Sequence, residues 1–107
     1  MSSNEASVLA SVLELFKQPG RIGLRVSNVT GWPDTIGCVN GRFLGVEVKE
    51  DVNGSYEVTK AQRIRLKKIR DAGGYGWAVD RSLLPLFADM LVRIENGEEL
   101  PRKWGYV

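Results

Sequence analysis

The dipeptide Asn40-Gly41 lies between two apolar runs, TIGCV and FLGVEV, and constrains this chain more than any other feature. Asn-Gly favours a two-residue type I′ turn, because both central residues need positive φ, and that turn closes a β-hairpin. A two-residue turn pairs Val39 with Arg42, and the remaining facing pairs follow from it. Asp34 then stands opposite Glu47, with Cβ atoms about 4.5–5.5 Å apart. Side chains alternate along a strand, so Glu47 and Lys49 share one face while Val46 and Val48 fill the other. The hairpin therefore predicts that Asp34, Glu47 and Lys49 converge on one spot.

Magnitudes decide what such a cluster means. Two carboxylates about 5 Å apart repel by roughly 3 kcal/mol at an effective dielectric of 20. A favourable cross-strand pair returns only about 0.2–1 kcal/mol. On a fully hydrated hairpin, with Lys49 as a partial counter-ion, the repulsion drops below about 1 kcal/mol and the acids are an ordinary surface pair. The apolar letters around them argue against a hairpin solvated on both faces. In a drier setting the pair needs a shared proton or a cation. Mg²⁺ accepts one or two carboxylates together with water and phosphate oxygens, and so reverses the sign of the interaction.

The rest of the chain supplies partners for the hairpin. Helical spacing of Val8, Leu9, Val12, Leu13 and Phe16 predicts a helix over about Asn4–Lys17, with Ser3 or Asn4 as N-cap and Pro19-Gly20 as its stop. Glu5 falls on the core-facing side of that helix; an acid there either complements the helix dipole or serves the acidic cluster. Arg21–Ser27 reads as a strand, Asp51–Tyr56 as a turn-rich loop, and Thr59–Ala72 as a helix closed by Gly73-Gly74. Tyr75–Val79 reads as a last strand and Ser82–Asn96 as a second long amphipathic helix. In the tail, Trp104 and Tyr106 suggest docking on the body of the protein. The expectation is an α/β domain in the order α-β-β-β-α-β-α, with a mixed four-stranded sheet flanked by helices and the fourth strand parallel to the third.

A chain of 107 residues suits one domain with a modest core. It contains no histidine and one cysteine, Cys38, which removes Ser-His-Asp and Cys-His catalysis and every zinc cage. Any catalysis must rest on carboxylates, lysine, hydroxyls and a hard cation. The N-terminal residues lack the basic start and cleavage site of a secretory signal, and no run is apolar enough for a membrane span, so an intracellular protein is expected.

The helix TKAQRIRLKKIRDA carries six cations before its first acid, Asp71, in a chain whose net charge is only +2. Lys60, Arg63, Lys67 and Arg70 form one stripe, which suits a polyanion, although a charge run can equally be a solvated helix face. Gln62 lies amid the apolar face, where its amide needs partners: a metal-bound water, a neighbouring acid or a backbone group. Thr59 is placed as the helix N-cap.

Taken together, Pro33-Asp34, Glu47-Val48-Lys49 and Thr59-x-x-Gln62 resemble the PD-(D/E)XK nuclease signature. GWPDTIGCVNGRFLGVEVKE, then TKAQ, then LKKIRDAGGYGWAVD is similar to the virus-type replication-repair nuclease (VRR-NUC) family, over about Glu5–Val79. The resemblance implies a restriction-endonuclease-like core, Mg²⁺ or Mn²⁺ as cofactor and DNA as substrate. It implies Asp34, Glu47, the Val48 carbonyl and Glu5 as metal ligands, Lys49 beside the attacking water and Gln62 in support. Small stand-alone members look like Holliday junction resolvases acting on branched DNA as homodimers. A flap or nicking nuclease, a DNA-binding module with an inactive nuclease fold, and a non-enzymatic interaction domain are the other readings open to this chain.

Overall fold

The structure, a computed structural model, describes residues 3–50 and 58–105. The loop expected at Asp51–Tyr56 and the docking of Tyr106 fall outside the described residues, as do the side chains of Ser3 and Asn4. The elements run α1 (Ser3–Leu15), β1 (Arg21–Arg25), β2 (Thr35–Val39), β3 (Arg42–Val48), α2 (Lys60–Asp71), β4 (Tyr75–Val79), a 3₁₀ turn (Arg81–Leu83), α3 (Leu84–Glu95) and β5 (Lys103–Gly105). The strands form one sheet in the order β1-β2-β3-β4-β5. The pairings of β1 with β2 and β2 with β3 are antiparallel; β4 pairs in parallel with both β3 and β5.

The hairpin follows from its turn residues. Asn40 and Gly41 have φ of 49° and 75°, as a type I′ turn requires. The register runs from Val39↔Arg42 to Thr35↔Val46 without a bulge. Asn40 also ties the turn to α3, its Nδ2 donating to the Ile94 carbonyl at 3.1 Å.

The sheet has five strands rather than the four expected. The added strand is the tail: Trp104 packs edge-on against Trp77 with centroids 5.4 Å apart, and Trp77 Nε1 donates to the Pro101 carbonyl at 3.0 Å. Three residues are too few to show strand periodicity, so only the docking tryptophan was legible. The helix expected from Ser82 is also divided. The Asp80 carboxylate caps a 3₁₀ turn by accepting from Leu83 N–H at 3.2 Å, and Pro85 then opens α3.

Helices α1 and α3 cover one face of the sheet, where Val8, Leu9, Val12, Phe87 and Leu91 pack on Leu44, Val46, Val48 and Trp77. On the other face α2 sits on the β3–β4 half through Leu66, beside Val58 and Ala78. This explains why β4 and most of β3 are buried on both faces, the usual state of a parallel pair with helices on either side. Beyond α2, the β1–β2 half of that face is open, with Ile22 and Leu24 exposed.

Gly76 lets α2 approach. A Cβ there would lie 2.6 Å from the Leu66 carbonyl oxygen, a backbone atom that cannot swing aside. Gly76→Ala is expected to destabilise the fold by about 1–3 kcal/mol in urea titration, through this overpacking. An unchanged midpoint would mean that α2 does not seat on β4 this closely. Among the described residues no helix is long and apolar enough to cross a membrane.

Candidate active site at the open end of the hairpin

Asp34 lies one residue ahead of β2 and Glu47 one residue from the end of β3, so continuing the observed register places them face to face. Their strand partners explain why both side chains meet. Val26 N–H donates to the Asp34 carbonyl at 2.8 Å, which ties the Asp34 backbone to β1, and alternation along β2 puts Asp34 on the α2 face with Ile36 and Cys38. Asp34 Oδ2 accepts from Val48 N–H at 2.8 Å, a charge-assisted bond that holds the carboxylate over the end of β3.

Val48 has a second consequence. In a strand, a residue's N–H and C=O address the same neighbour, so the Val48 carbonyl opens on the Asp34 side. The continued register puts Pro33 opposite, and proline has no N–H to offer it. An acceptor oxygen therefore faces the carboxylates without a ladder donor from that position.

Glu47 is 2% exposed and its Oε2 has no hydrogen-bond partner. Burial, first, and then the carboxyl hydrogen bond and negative charge of Asp34 push its pKa up to about 10 from an ordinary 4.5. Two carboxylates form such a bond only when one of them carries a proton. Lys49 pulls the other way: its Nζ stands 4.0 Å from Glu47 Oε1, with the side chain 14% exposed. Glu5 adds the smallest push. It comes from the first turn of α1, in the layer on the other face of the sheet.

The structure thus brings Asp34, Glu47 and Lys49 together as the hairpin predicts, with the Val48 backbone beside them. Among the described residues no group of three or more Asp, Glu, His or Cys side chains is arranged to hold a metal ion. The donors that fit a hard cation are the Asp34–Glu47 pair, with its unpartnered buried oxygen, and the Val48 carbonyl.

Gln62 has the blandest of the partners open to it. Its Oε1 accepts from Thr59 N–H at 2.9 Å while Thr59 Oγ1 accepts from Gln62 N–H at 3.2 Å, a capping box at the start of α2. Any support for the acids would fall to its amide nitrogen. Gln62→Ala is expected to lower stability by about 0.3–1.5 kcal/mol and leave turnover unchanged. A hundredfold loss of kcat with the unfolding midpoint intact would assign it to the chemistry instead.

The basic stripe is less uniform than its spacing suggests. Arg70 is half-buried and its guanidinium donates to the Gly76 carbonyl at 3.0 Å; burial lowers its pKa. Arg63 donates to the Val58 carbonyl at 3.1 Å, and Lys67 pairs with Asp71 at 2.6 Å on the surface, where such pairs are weak. Lys60, Arg63, Lys67 and Lys68 are the exposed cations of α2.

Two residues near the acids escaped the sequence. Asp80, 1% exposed, follows β4 at the position level with Lys49, whose N–H donates to the Val79 carbonyl at 2.9 Å. Its Oδ1 accepts from the Ser82 hydroxyl at 2.5 Å, and its Oδ2 has no partner. In sequence Asp80-x-Ser82 carries only a cap signal. Trp32, in the loop before Asp34, lies under the Arg65 guanidinium with 4.8 Å to the ring centroid. No protein-family model matches the chain, and no curated protein matches it.

Proposed function

We propose that this chain is a Mg²⁺- or Mn²⁺-dependent DNA endonuclease of the VRR-NUC type, with a restriction-endonuclease-like core, hydrolysing phosphodiester bonds in branched DNA in the manner of a Holliday junction resolvase. The observation that carries this reading is the pairing of buried Glu47 with half-buried Asp34, with Lys49 beside them and an unpartnered carboxylate oxygen. A binding module gains nothing from acids placed where phosphate must come.

Asp34, Glu47 and the Val48 carbonyl would hold the cation, with Glu5 as an outlying acid. When bound, the cation supplies an acidified water and neutralises charge on the scissile phosphate. Asp34 fixes the geometry through its bond to Val48 N–H. Lys49, whose Nζ stands 4.0 Å from Glu47 Oε1, would bring a compact positive charge beside the attacking water and the developing negative charge. The exposed cations Lys60, Arg63 and Lys67 would grip the DNA backbone, giving binding that weakens with salt; Arg70, held by Gly76, would act mainly in seating α2. A homodimer would present two such sites to the two strands of a junction.

An inactive DNA-binding module is the second reading, since the exposed cations Lys60, Arg63, Lys67 and Lys68 of α2 would bind DNA without help from the acids. Purified protein, with Mg²⁺ or with chelator, against junction, flap, single-stranded and duplex DNA separates the two. Mg²⁺-dependent cleavage of the junction, with a dimeric mass, supports the resolvase. Cleavage confined to flaps or nicks changes the substrate class. Salt-sensitive binding with no cleavage in either metal establishes the binding module.

A further inference from the structure

Between the start of β3 and the C-terminal half of α2 lies an open cleft of about 290 Å³. Trp32 and Phe43 line it with aromatic surface, Arg65 and Lys68 with positive charge, and Ile69 and Ala72 with apolar side chains; among the described residues no acid lines it. Neither aromatic belongs to a buried apolar cluster, and Phe43 is 41% exposed. The cleft is not a by-product of core packing.

Its parts are held in place. Gly31, at φ 81°, abuts Ala61 of α2, where even a Cβ would sit 3.4 Å from the Ala61 side chain. On the other side of Trp32, the buried Pro33 lies over Gly45, so the tryptophan is clamped between two fixed neighbours. Arg65 stacks on it at 4.8 Å and presents a flat cationic plane. A ring, a guanidinium plane and a lysine around an apolar floor match a ligand that is flat, aromatic and anionic at its edge. The size, at the small end for ligand sites, suits one such group.

The cleft and the acids share the α2 face of the sheet. Phe43 is four residues from Glu47 on β3, about 13 Å along the strand. That is roughly four nucleotide steps along one DNA strand.

We propose that this cleft takes an unpaired nucleobase of a nucleic-acid strand whose phosphate lies at Asp34 and Glu47, the base stacking against Trp32, Arg65 and Phe43 and its phosphate meeting Lys68. A base still paired and stacked in duplex cannot enter, so the cleft selects DNA with unpaired nucleotides near the cleaved bond. This rests on the nuclease reading and, within it, favours flapped or gapped branches, or a junction whose bases unpair at the crossover, over fully paired arms.

The test is metal-free binding of labelled DNA: a single strand, the same strand with abasic residues, and a perfect duplex. Aromatic stacking of one base is worth a factor of about 5 to 150 in affinity. Trp32→Ala is expected to lose that factor on the single strand and less than about twofold on duplex, with Trp32→Phe restoring most of it. The abasic strand, which needs no variant, should bind the wild-type protein as weakly as the intact strand binds Trp32→Ala. An intact and an abasic strand bound equally well, or an equal loss on duplex, overturns the cleft while metal-dependent cleavage elsewhere leaves the nuclease standing. Wild-type protein that binds none of these DNAs at low salt removes both.

Discussion

Asp34→Ala and Glu47→Ala are each expected to lower junction cleavage in Mg²⁺ by about 10³-fold or more, with DNA affinity within a few-fold of wild type. The asymmetry follows from where the groups sit. Both carboxylates lie at the open end of the hairpin, whereas the exposed cations that would carry backbone binding belong to α2. Removing Asp34 also strips the Val48 N–H of its acceptor, so that variant should lose some stability as well. Glu47→Ala sets the cavity left by a fully buried side chain against the removal of a carboxyl whose burial costs stability as pH rises above 4.5. Single-turnover cleavage beside equilibrium binding checks this. Variants that cut a four-way junction at the wild-type rate would end the nuclease assignment.

The second large effect needs no DNA. Without a divalent ion, folding stability is expected to fall steadily as pH rises from about 5 to 9. The folded protein keeps Glu47 protonated up to about pH 10, whereas the unfolded chain releases that proton near 4.5. Between those values the folded state binds more protons, so the stability this group contributes is fully present below 4.5 and is lost as pH rises toward 10. By pH 7 the loss is about 3 kcal/mol, or of order 10 °C in unfolding midpoint for a domain of this size. Glu95 and Glu98 run the opposite way. Hydrogen bonds from Arg21 and Arg93 lower their pKa values, so their contribution is lost as pH falls below the ordinary carboxylate range, and the scan should stay above pH 5. Adding Mn²⁺ should flatten the slope at high pH, because a cation replaces the shared proton. Glu47→Gln should flatten it without metal and raise the midpoint at pH 8. A metal-free midpoint that is level from pH 5 to 9 would show that Glu47 is not held protonated in this fold.

What the sequence determined alone was whatever local geometry could dictate. Asn40 and Gly41 demand positive φ whatever surrounds them, and the period of two then carries that register to Asp34 and Glu47. Tyr75–Val79 was likewise legible, since an apolar run between Gly73-Gly74 and Asp80 has few other fates. Tertiary structure decided the groups whose partners lie far along the chain or compete with one another. Gln62 could have served several partners by its place in the sequence, and in the structure its side-chain oxygen goes to Thr59 three residues away. Arg70 belongs to the stripe by spacing, yet the close seating of α2 on Gly76 turns it inward. The tail became a strand because β4 offered an open edge and Trp77 a ring to pack on. Trp32 acquired Arg65 and a cleft only when the loop before Asp34 folded over α2. Side-chain pairing across a hairpin is set by counting residues, but burial, charge and company depend on which surfaces the helices leave uncovered, and no count along the chain contains that.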